Sequence, residues 1–299
     1  MKKIIFTMGD PRGIGPEIIL KSLACIGEKF SFTVAGSSKL MLKEAEKQGY
    51  PLKRGDIKDP GASGDPARDA LEYIKAGFSL VKENPGSVLV TSPVEKKSIA
   101  DLCPGFSGHT GYLAELSGLS GALMCFIASR AKMSLLTQHI PLREVPETVS
   151  GELIVSHIRL LRKELSRWFP SVPSRMVICG LNPHSGDGGL LGREEIEVFT
   201  GAIRELGEEG VELLGPCAPA AALRGALEGR YDFIVSVYHD QLLPAFKVLL
   251  GPSVNVTLGL GFVRTSPDHG PAFDLAGTGR ADFTSMQAAV ELGLELAGG

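Results

Sequence analysis

The chain has 299 residues, with 31 Lys and Arg against 34 Asp and Glu and a formal net charge of −3. Apolar residues make up 43% and charged residues 22%, which is typical of a globular protein and excludes a disordered chain. The charge balance argues against nucleic-acid binding through phosphates, and no apolar run reaches the roughly 18 residues that cross a bilayer. The length predicts about two domains.

Short apolar runs alternate with longer amphipathic segments along the whole chain. The apolar runs predict strands over residues 3–7, 31–35, 87–91, 123–128, 133–136, 176–180, 233–237 and 254–257. The amphipathic segments predict helices over 16–23, 38–48, 65–82, 111–117, 147–167, 193–208 and 220–228, with a further helix from Asp282 onward. Because several strands are continuously apolar, as strands buried on both faces are, the alternation predicts an α/β fold with mostly parallel sheets.

The cysteines argue for a reducing environment. There are five of them, an odd number, and no two have Cys-x-x-Cys spacing. Reduced thiols in a cytoplasmic protein are therefore a better interpretation than a disulfide framework or a zinc finger.

Three of the six histidines, His139, His184 and His239, each follow a predicted strand at the point where a loop is expected to begin. Ligands of parallel sheets bind at the carboxyl ends of strands. Three imidazoles there could share one divalent cation and leave positions open for a substrate. Taken singly, each is more typical of an ordinary surface or hydrogen-bonded histidine. His157 lies inside a helical pattern and is interpreted as structural.

A second group of residues is cationic and polar. It comprises Lys247, Asn255 and Arg264, together with the segment 107–110, which contains His109 and Thr110 and opens a predicted helix. Free N–H groups at a helix start favour an anion, so these residues could hold a small phosphorylated or carboxylated substrate. Considered one at a time, Lys247 and Arg264 are more typical of solvated surface charges.

Two glycine-rich segments, 9–17 and 268–279, lack the usual nucleotide-binding signatures. The first is neither Gly-x-Gly-x-x-Gly nor a P-loop, and no Gly-x-Ser-x-Gly elbow occurs. The second permits close approach of its backbone to a ligand, although an ordinary surface loop explains its composition equally well.

Several longer motifs occur in order along almost the entire chain. They are Thr7-Met8-Gly9-Asp10-Pro11, Thr91-Ser92-Pro93, Gly108-His109-Thr110, His139-Ile140-Pro141-Leu142, Gly180-Leu181-Asn182-Pro183-His184, Tyr238-His239-Asp240-Gln241 and Asn255-Val256-Thr257-Leu258-Gly259. On these motifs the chain resembles the 4-hydroxythreonine-4-phosphate dehydrogenase (PdxA-like) family.

The resemblance implies an α/β fold of the isocitrate/isopropylmalate-dehydrogenase-like kind, with two domains and a cleft between them. Residues 1–125 together with 257–299 would form the cofactor-side domain. Residues 126–256 would form the second, with the metal ligands and the contacts of a homodimer whose active sites are shared.

The resemblance also implies roles for individual residues. The metal ligands would be His139, His184 and His239, and the substrate would contact His109, Thr110, Lys247, Asn255 and Arg264. Segment 269–279 is similar to the adenosine-binding loop of isopropylmalate dehydrogenases, which implies cofactor contacts at His269, Gly270, Ala272 and Asp274. Asp240 and Lys247 are both candidates for the general base.

The implied reaction uses NAD or NADP and one divalent metal ion, namely Zn, Mg, Co or Mn. It oxidises the secondary alcohol of 4-phosphohydroxy-L-threonine, a small phosphorylated substrate, and decarboxylates the product to 3-amino-2-oxopropyl phosphate. This step belongs to pyridoxal phosphate (vitamin B6) biosynthesis.

The chain departs from the family pattern in two places, and these keep other functions open. Residues 219–222 read Pro-Ala-Ala-Ala where the family usually has a carboxylate, and Gly111 stands where a Glu commonly follows the His-Thr pair. The alternatives are a dehydrogenase of another phosphorylated hydroxy acid, such as a four-carbon sugar acid phosphate, a metal-dependent hydrolase, and a binding protein without activity.

Overall fold

A computed structural model describes residues 3–27, 30–119, 121–169, 171 and 174–298. The chain divides into two compact units. Unit 1 comprises Met1–Ala122 and Val254–Gly299, and unit 2 comprises Leu123–Ser253.

Strands and helices alternate along both units. The strands are β1 Lys3–Thr7, β2 Ser31–Ala35, β3 Ile57–Lys58, β4 Val88–Thr91, β5 Leu123–Ile127, β6 Lys132–Leu135, β7 Met176–Cys179, β8 Leu213–Cys217, β9 Phe233–Ser236, β10 Val254–Leu258 and β11 Val263–Pro267. The helices are α1 Gly15–Ile26, α2 Ser38–Gln48, α3 Pro66–Glu83, α4 Lys96–Leu102, α5 His109–Ser117, α6 Val145–Thr148, α7 Gly151–Trp168, α8 Thr200–Glu208, α9 Pro219–Leu227, α10 His239–Leu250 and α11 Thr284–Leu296.

The strands of unit 1 lie in the order β3-β2-β1-β4-β11-β10, and each neighbouring pair is parallel except β10 and β11. The central strands β1 and β4 are almost continuously apolar and buried, because helices cover both faces of a sheet of this kind. Helix α3 begins with a cap in which the Asp65 side chain accepts from the backbone N–H of Ala67 at 2.9 Å.

The strands of unit 2 lie in the order β5-β6-β9-β7-β8, and only β5 and β6 are antiparallel. Strands β6, β9 and β7 are neighbours, so their carboxyl ends lie along one edge. Helix α7 begins at a Ser150 cap and buries one apolar stripe. The α/β fold class with mostly parallel sheets is confirmed.

Three strands were not predicted from the sequence, because none of them is a continuous run of apolar residues. Strand β3 has two residues, and β8 is half-exposed with Gly215 and Pro216 inside it. Strand β11 reads Val-Arg-Thr-Ser-Pro and is nonetheless fully buried. A buried strand with so many polar groups needs partners for them. Thr265 donates to Ala289 O at 2.7 Å, and the partners of Arg264 belong to the candidate active site.

The prediction that His239 begins a loop is wrong. His239 is the first residue of helix α10, and this helix continues through Pro244. A proline inside a helical segment removes one backbone donor, so it favours interpretation as a loop.

Two predicted helices are divided in the structure. The segment 147–167 is interrupted between α6 and α7, where Val149 is extended and Ser150 caps α7. The segment 193–208 begins with a π-helical turn over Glu195–Phe199 before α8. Segment 96–102, which carried no helix prediction, forms α4.

Among the described residues, no helix combines the length and apolar character that crossing a membrane requires. The five cysteines are free thiols, and burial raises the pKa of Cys125 and Cys179.

A buried histidine makes the stability of unit 2 dependent on pH. His157 in α7 is 5% exposed, and its Nε2 lies 3.0 Å from Ser134 Oγ on β6. Burial lowers the pKa of His157 from 6.5 to about 4. Between those values the unfolded chain takes up a proton that the folded chain does not, so the unfolding free energy falls as pH decreases.

The contribution of His157 to this fall is about 3 kcal/mol in total, from the size of the pKa shift. We expect His157→Gln, which keeps a partner for Ser134, to flatten the dependence of the unfolding free energy on pH between about 6.5 and about 4. Urea unfolding across this range measures it. The control in the same assay is His269→Gln, which replaces an exposed histidine of unit 1. An equally steep slope in His157→Gln contradicts the assignment.

Candidate active site

Arg264 on β11 is a buried cation, with 2% of its surface exposed. Its Nη2 and Nε donate to Thr91 Oγ1 at 2.6 and 3.2 Å, and its Nη1 donates to Thr257 Oγ1 at 3.0 Å. Burial lowers the pKa of the guanidinium to about 9, so it still carries its charge at neutral pH. The alternative that Arg264 is a solvated surface charge is therefore wrong.

The groups around this guanidinium are neutral. Besides the two hydroxyls, Asn255 Oδ1 lies 3.5 Å from Nη1, and no carboxylate forms an ion pair with Arg264 among the residues that the structure describes. Removing a charge from water without an opposite charge costs several kcal/mol. An anionic ligand would supply the missing charge, so the arrangement is that of a phosphate or carboxylate site.

Two residues at the start of α5 belong to the same cluster. Thr110 Oγ1 lies 3.1 Å from Thr257 Oγ1, which itself accepts from Arg264. His109 Nε2 is buried and makes no hydrogen bond. Burial, and then the charges of Arg264 and Lys96, hold the pKa of His109 well below its usual value. A neutral imidazole with an unsatisfied nitrogen can therefore bond to a ligand.

The predicted substrate residues His109, Thr110, Asn255 and Arg264 thus lie together in unit 1. The fifth, Lys247, is on α10 in unit 2. It is exposed, and its Nζ lies 5.8 Å from the centre of the Phe126 ring.

The predicted metal ligands all follow neighbouring strands of unit 2. In the sheet, Leu135 pairs with Ser236, and Ile178 pairs with Val235, so β6, β9 and β7 end close to one another. The rings of His139 and His239 have centres 5.5 Å apart and planes inclined at 40°. Among the described residues no group of three or more potential ligands is found, so His184 is not joined to this pair.

The two adjacent imidazoles fit a shared cation. Zinc–nitrogen bonds of about 2.0–2.1 Å at a tetrahedral angle place two imidazole centres about 5 Å apart. The separation of His139 and His239 is close to this value. His239 Nδ1 lies 2.7 Å from Asp240 Oδ1, which orients the ring, so a cation bound by this ring would bond to Nε2. Asp240, one of the two candidate bases, therefore already has a partner.

The His184 segment follows β7 as a left-handed turn. His184, Ser185 and Asp187 have φ angles of 51°, 53° and 44°, a region that residues other than glycine rarely adopt. A clamp precedes the turn: Glu195, which is 4% exposed, accepts from Asn182 N at 2.8 Å and from Asn182 Nδ2 at 2.9 Å.

The two glycine-rich segments pack against each other in unit 1. Ile14 N donates to Pro271 O at 3.0 Å, and a Cβ on Gly13 would lie 2.9 Å from the same oxygen. Only glycine permits this approach at residue 13. The N-terminal glycine-rich segment therefore supports the 268–279 loop.

A buried carboxylate holds the far end of that loop. Glu17, which is 1% exposed, accepts from Ala281 N at 2.9 Å, from Gly279 N at 3.2 Å and from Lys21 Nζ at 2.8 Å. The predicted cofactor residues His269, Gly270 and Asp274 remain exposed on the loop, and Ala272 has a positive φ of 44°.

The family model described as pyridoxal phosphate biosynthetic protein PdxA matches residues 22–293. The chain belongs to the PdxA family.

Curated relatives agree over their full length. A protein of Sulfurihydrogenibium sp. (strain YO3AOP1) named 4-hydroxythreonine-4-phosphate dehydrogenase is 34% identical over 319 residues, covering 99% of this chain and 98% of the relative. The protein of that name from Aquifex aeolicus is 37% identical over 316 residues, covering 97% of each.

The crystal structure of 4-hydroxythreonine-4-phosphate dehydrogenase from Klebsiella pneumoniae aligns with a TM-score of 0.86 at 32% identity, covering 99% of this chain and 98% of that one. The family resemblance inferred from the sequence motifs is confirmed. The PdxA chain is therefore an oxidoreductase, a dehydrogenase of the PdxA type whose family serves pyridoxal phosphate biosynthesis. This class argues against the hydrolase alternative.

The residues that support the predicted site residues were not predicted from the sequence. Thr91 and Thr257 hold Arg264, and Glu17 holds the glycine-rich loop. One signal for the first pair was present, since Thr91 and Thr257 stand in two of the motifs that carry the family resemblance. The clamp at Glu17 joins residues more than 260 positions apart, which no local pattern reveals.

We expect Thr91→Val to weaken binding of inorganic phosphate by about tenfold, because two guanidinium hydrogen bonds to a neutral partner are worth roughly 1–2 kcal/mol in positioning. Calorimetric titration of the full-length protein measures the affinity. Thr265→Val is the matched control: Thr265 is also fully buried on an adjacent strand, but its hydroxyl donates to Ala289 O at 2.7 Å. Equal affinities of the two variants would contradict the role of Thr91.

Proposed function

We propose that this PdxA protein oxidises the secondary alcohol of 4-phosphohydroxy-L-threonine and decarboxylates the product to 3-amino-2-oxopropyl phosphate. The observation that carries the proposal is the buried guanidinium of Arg264, which neutral groups hold. A phosphorylated substrate supplies the anion that this cation lacks. The names of the curated relatives support the same substrate.

The substrate contacts would be made by His109, Thr110, Lys247, Asn255 and Arg264. The neutral His109 offers a nitrogen that has no other partner, and Thr110 offers a hydroxyl already aligned with Thr257. Because the charge of Arg264 is not shared with an acid, it acts on the anion at full strength.

One divalent ion, Zn, Mg, Co or Mn, would be held by His139, His184 and His239. The pairing of two of these rings supports the site. A cation held there would lower the pKa of the alcohol and would stabilise the charge that develops when carbon dioxide leaves. Asp240 would orient His239 through the hydrogen bond to its Nδ1, and Asp240 and Lys247 both stay candidates to receive the alcohol proton.

The loop with His269, Gly270, Ala272 and Asp274 would bind NAD or NADP. Its attachment to segment 9–17 and to Glu17 supports this role, since a fixed loop presents its backbone without an ordering cost when the ligand binds. NAD or NADP, when bound there, would supply the acceptor for the hydride of the alcohol carbon.

We also propose a homodimer with shared active sites in the cytoplasm. Several large apolar side chains of unit 2 are exposed: Leu142, Leu190, Leu191, Ile196, Val248 and Leu249. Leu142, Leu190 and Leu191 follow His139 and His184 closely in the chain, so a second copy covering them would lie beside the proposed metal site. The partner copy could then complete the set of ligands.

A dehydrogenase of another phosphorylated hydroxy acid, such as a four-carbon sugar acid phosphate, is the second candidate. The first turn of α9 reads Pro-Ala-Ala-Ala and contains no acidic residue, so a carboxylate that relatives could use at this place is missing. A panel of phosphorylated hydroxy acids assayed with NAD and NADP decides between the two. Absence of cofactor reduction with every member of the panel contradicts both.

The metal assignment is tested with His184→Ala. We expect at least a hundredfold loss of affinity for Zn²⁺ or Co²⁺ and a parallel loss of cofactor reduction, since one of three ligands is removed. His157→Gln, which alters a buried histidine of the same unit, should bind metal as the wild type does. Metal affinity of His184→Ala equal to that of the wild type would remove His184 from the site.

The cofactor assignment is tested with Glu17→Ala. Loss of the hydrogen bonds from Gly279 and Ala281 to Glu17 should raise the KM for NAD or NADP by about tenfold with a smaller change in kcat. The reason is that the loop must then be ordered as the cofactor binds. Asp69→Ala is the matched control, since Asp69 is also a buried carboxylate of unit 1 and accepts from Ser63 N at 2.7 Å in a different loop. An unchanged KM in Glu17→Ala argues that the loop does not bind the cofactor.

A further inference from the structure

The side chain of Gln241 connects two segments that are far apart in the sequence. Gln241 lies in the first turn of α10, two residues after His239. Its Nε2 donates to Gly180 O at 2.6 Å, at the end of β7. Its Oε1 accepts from Val237 N at 2.8 Å and from Ser236 Oγ at 3.1 Å, at the end of β9.

We propose that Gln241 is a positioning residue that fixes the His184 segment against the His239 segment. The inference rests on the metal site of the proposed function. Gly180 begins the five-residue stretch that leads to His184, and Val237 comes two residues before His239. One amide therefore sets the distance between the starting points of both segments.

The chemistry of the amide matches this role closely. The end of β7 offers a carbonyl oxygen and the end of β9 offers an N–H, so the bridge needs a donor and an acceptor on the same group. Glutamate would present a second oxygen to Gly180 O, and methionine would offer neither a donor nor a comparable acceptor. Glutamine alone satisfies both strand ends at this length.

The bridge acts together with the clamp on the other side of the His184 segment. Asn182, two residues after Gly180, is bound by Glu195 through its backbone N–H and its side-chain amide. The start of the segment is therefore held at Gly180 by α10 and at Asn182 by the π-helical turn. With both contacts in place, the beginning of the left-handed turn at His184 has a defined position.

Gln241→Met tests the role with a change that keeps the length of the side chain. We expect the dissociation constant for Co²⁺, measured on metal-free full-length protein, to rise about tenfold or more, as loss of groups that orient ligands does in other metal sites. The visible absorption bands of bound Co²⁺ should also shift, because the ligand geometry changes. Gln241→Glu keeps the acceptor for Val237 N and loses the donor to Gly180 O, so it should weaken Co²⁺ binding as well.

Gln287→Met is the matched control. Gln287 is another half-buried glutamine in a helix, and it lies in unit 1, where its Nε2 donates to Glu291 at 2.7 Å. It should leave both the affinity and the spectrum of Co²⁺ unchanged. Circular dichroism and thermal unfolding establish that each variant is folded.

The outcomes separate this inference from the proposed function. Wild-type affinity and spectrum in folded Gln241→Met or Gln241→Glu overturn the positioning role and leave the metal site standing. A wild-type protein that binds Co²⁺ no better than His184→Ala removes His184 from the proposed metal site, and the positioning role falls with it. Weaker binding in His184→Ala and in both Gln241 variants, with wild-type binding in Gln287→Met, supports both.

Discussion

A buried positive charge without an acid partner is the constraint that shapes unit 1. The desolvation of Arg264 must be offset, and Thr91, Thr257 and Asn255 do so with dipoles only. This explains how the buried strand β11 can carry a charged residue among apolar strands. Burial is the main cause of the lowered pKa of His109, and the guanidinium adds to it because a second cation beside it would be repelled. The folded state thus contains a buried cation without an opposite charge, and this is the charge that we propose a phosphorylated substrate supplies.

In unit 2, the positions of the candidate metal ligands depend on strand pairing rather than on a buried charge. Parallel pairing of β6, β9 and β7 brings together the starting points of segments that lie dozens of residues apart in the sequence. Pairing alone does not fix the loops after these strands, because a loop of several residues can take many paths. The amide of Gln241 and the carboxylate of Glu195 reduce those paths by bonding to main-chain atoms after β7 and β9. These side chains therefore restrict where the His184 and His239 segments begin.

The sequence predicted most of the frame and the main residues of the candidate site, because apolar periodicity and the long motifs are both local signals. It failed where local signals conflict with tertiary structure. Helix α10 was not predicted because it contains Pro244. Strand β11, which carries Arg264, was not predicted because most of its residues are not apolar. Contacts between distant segments were invisible for a different reason: the bond from Glu17 to Ala281 exists only once the chain has folded. Ordinary statistics placed Arg264 at the surface, since few arginines find enough dipoles to remain inside.

The left-handed turn after β7 has a consequence for how this protein tolerates change. Three residues other than glycine occupy a backbone region that costs each of them of the order of 1 kcal/mol. Packing elsewhere in the fold must offset this local cost in free energy. Laboratory selection for heat tolerance would therefore tend to accumulate glycine at Ser185 or Asp187. Such variants would be more stable, but they would hold the neighbouring imidazole of His184 less rigidly. Stability would then be gained at the expense of activity.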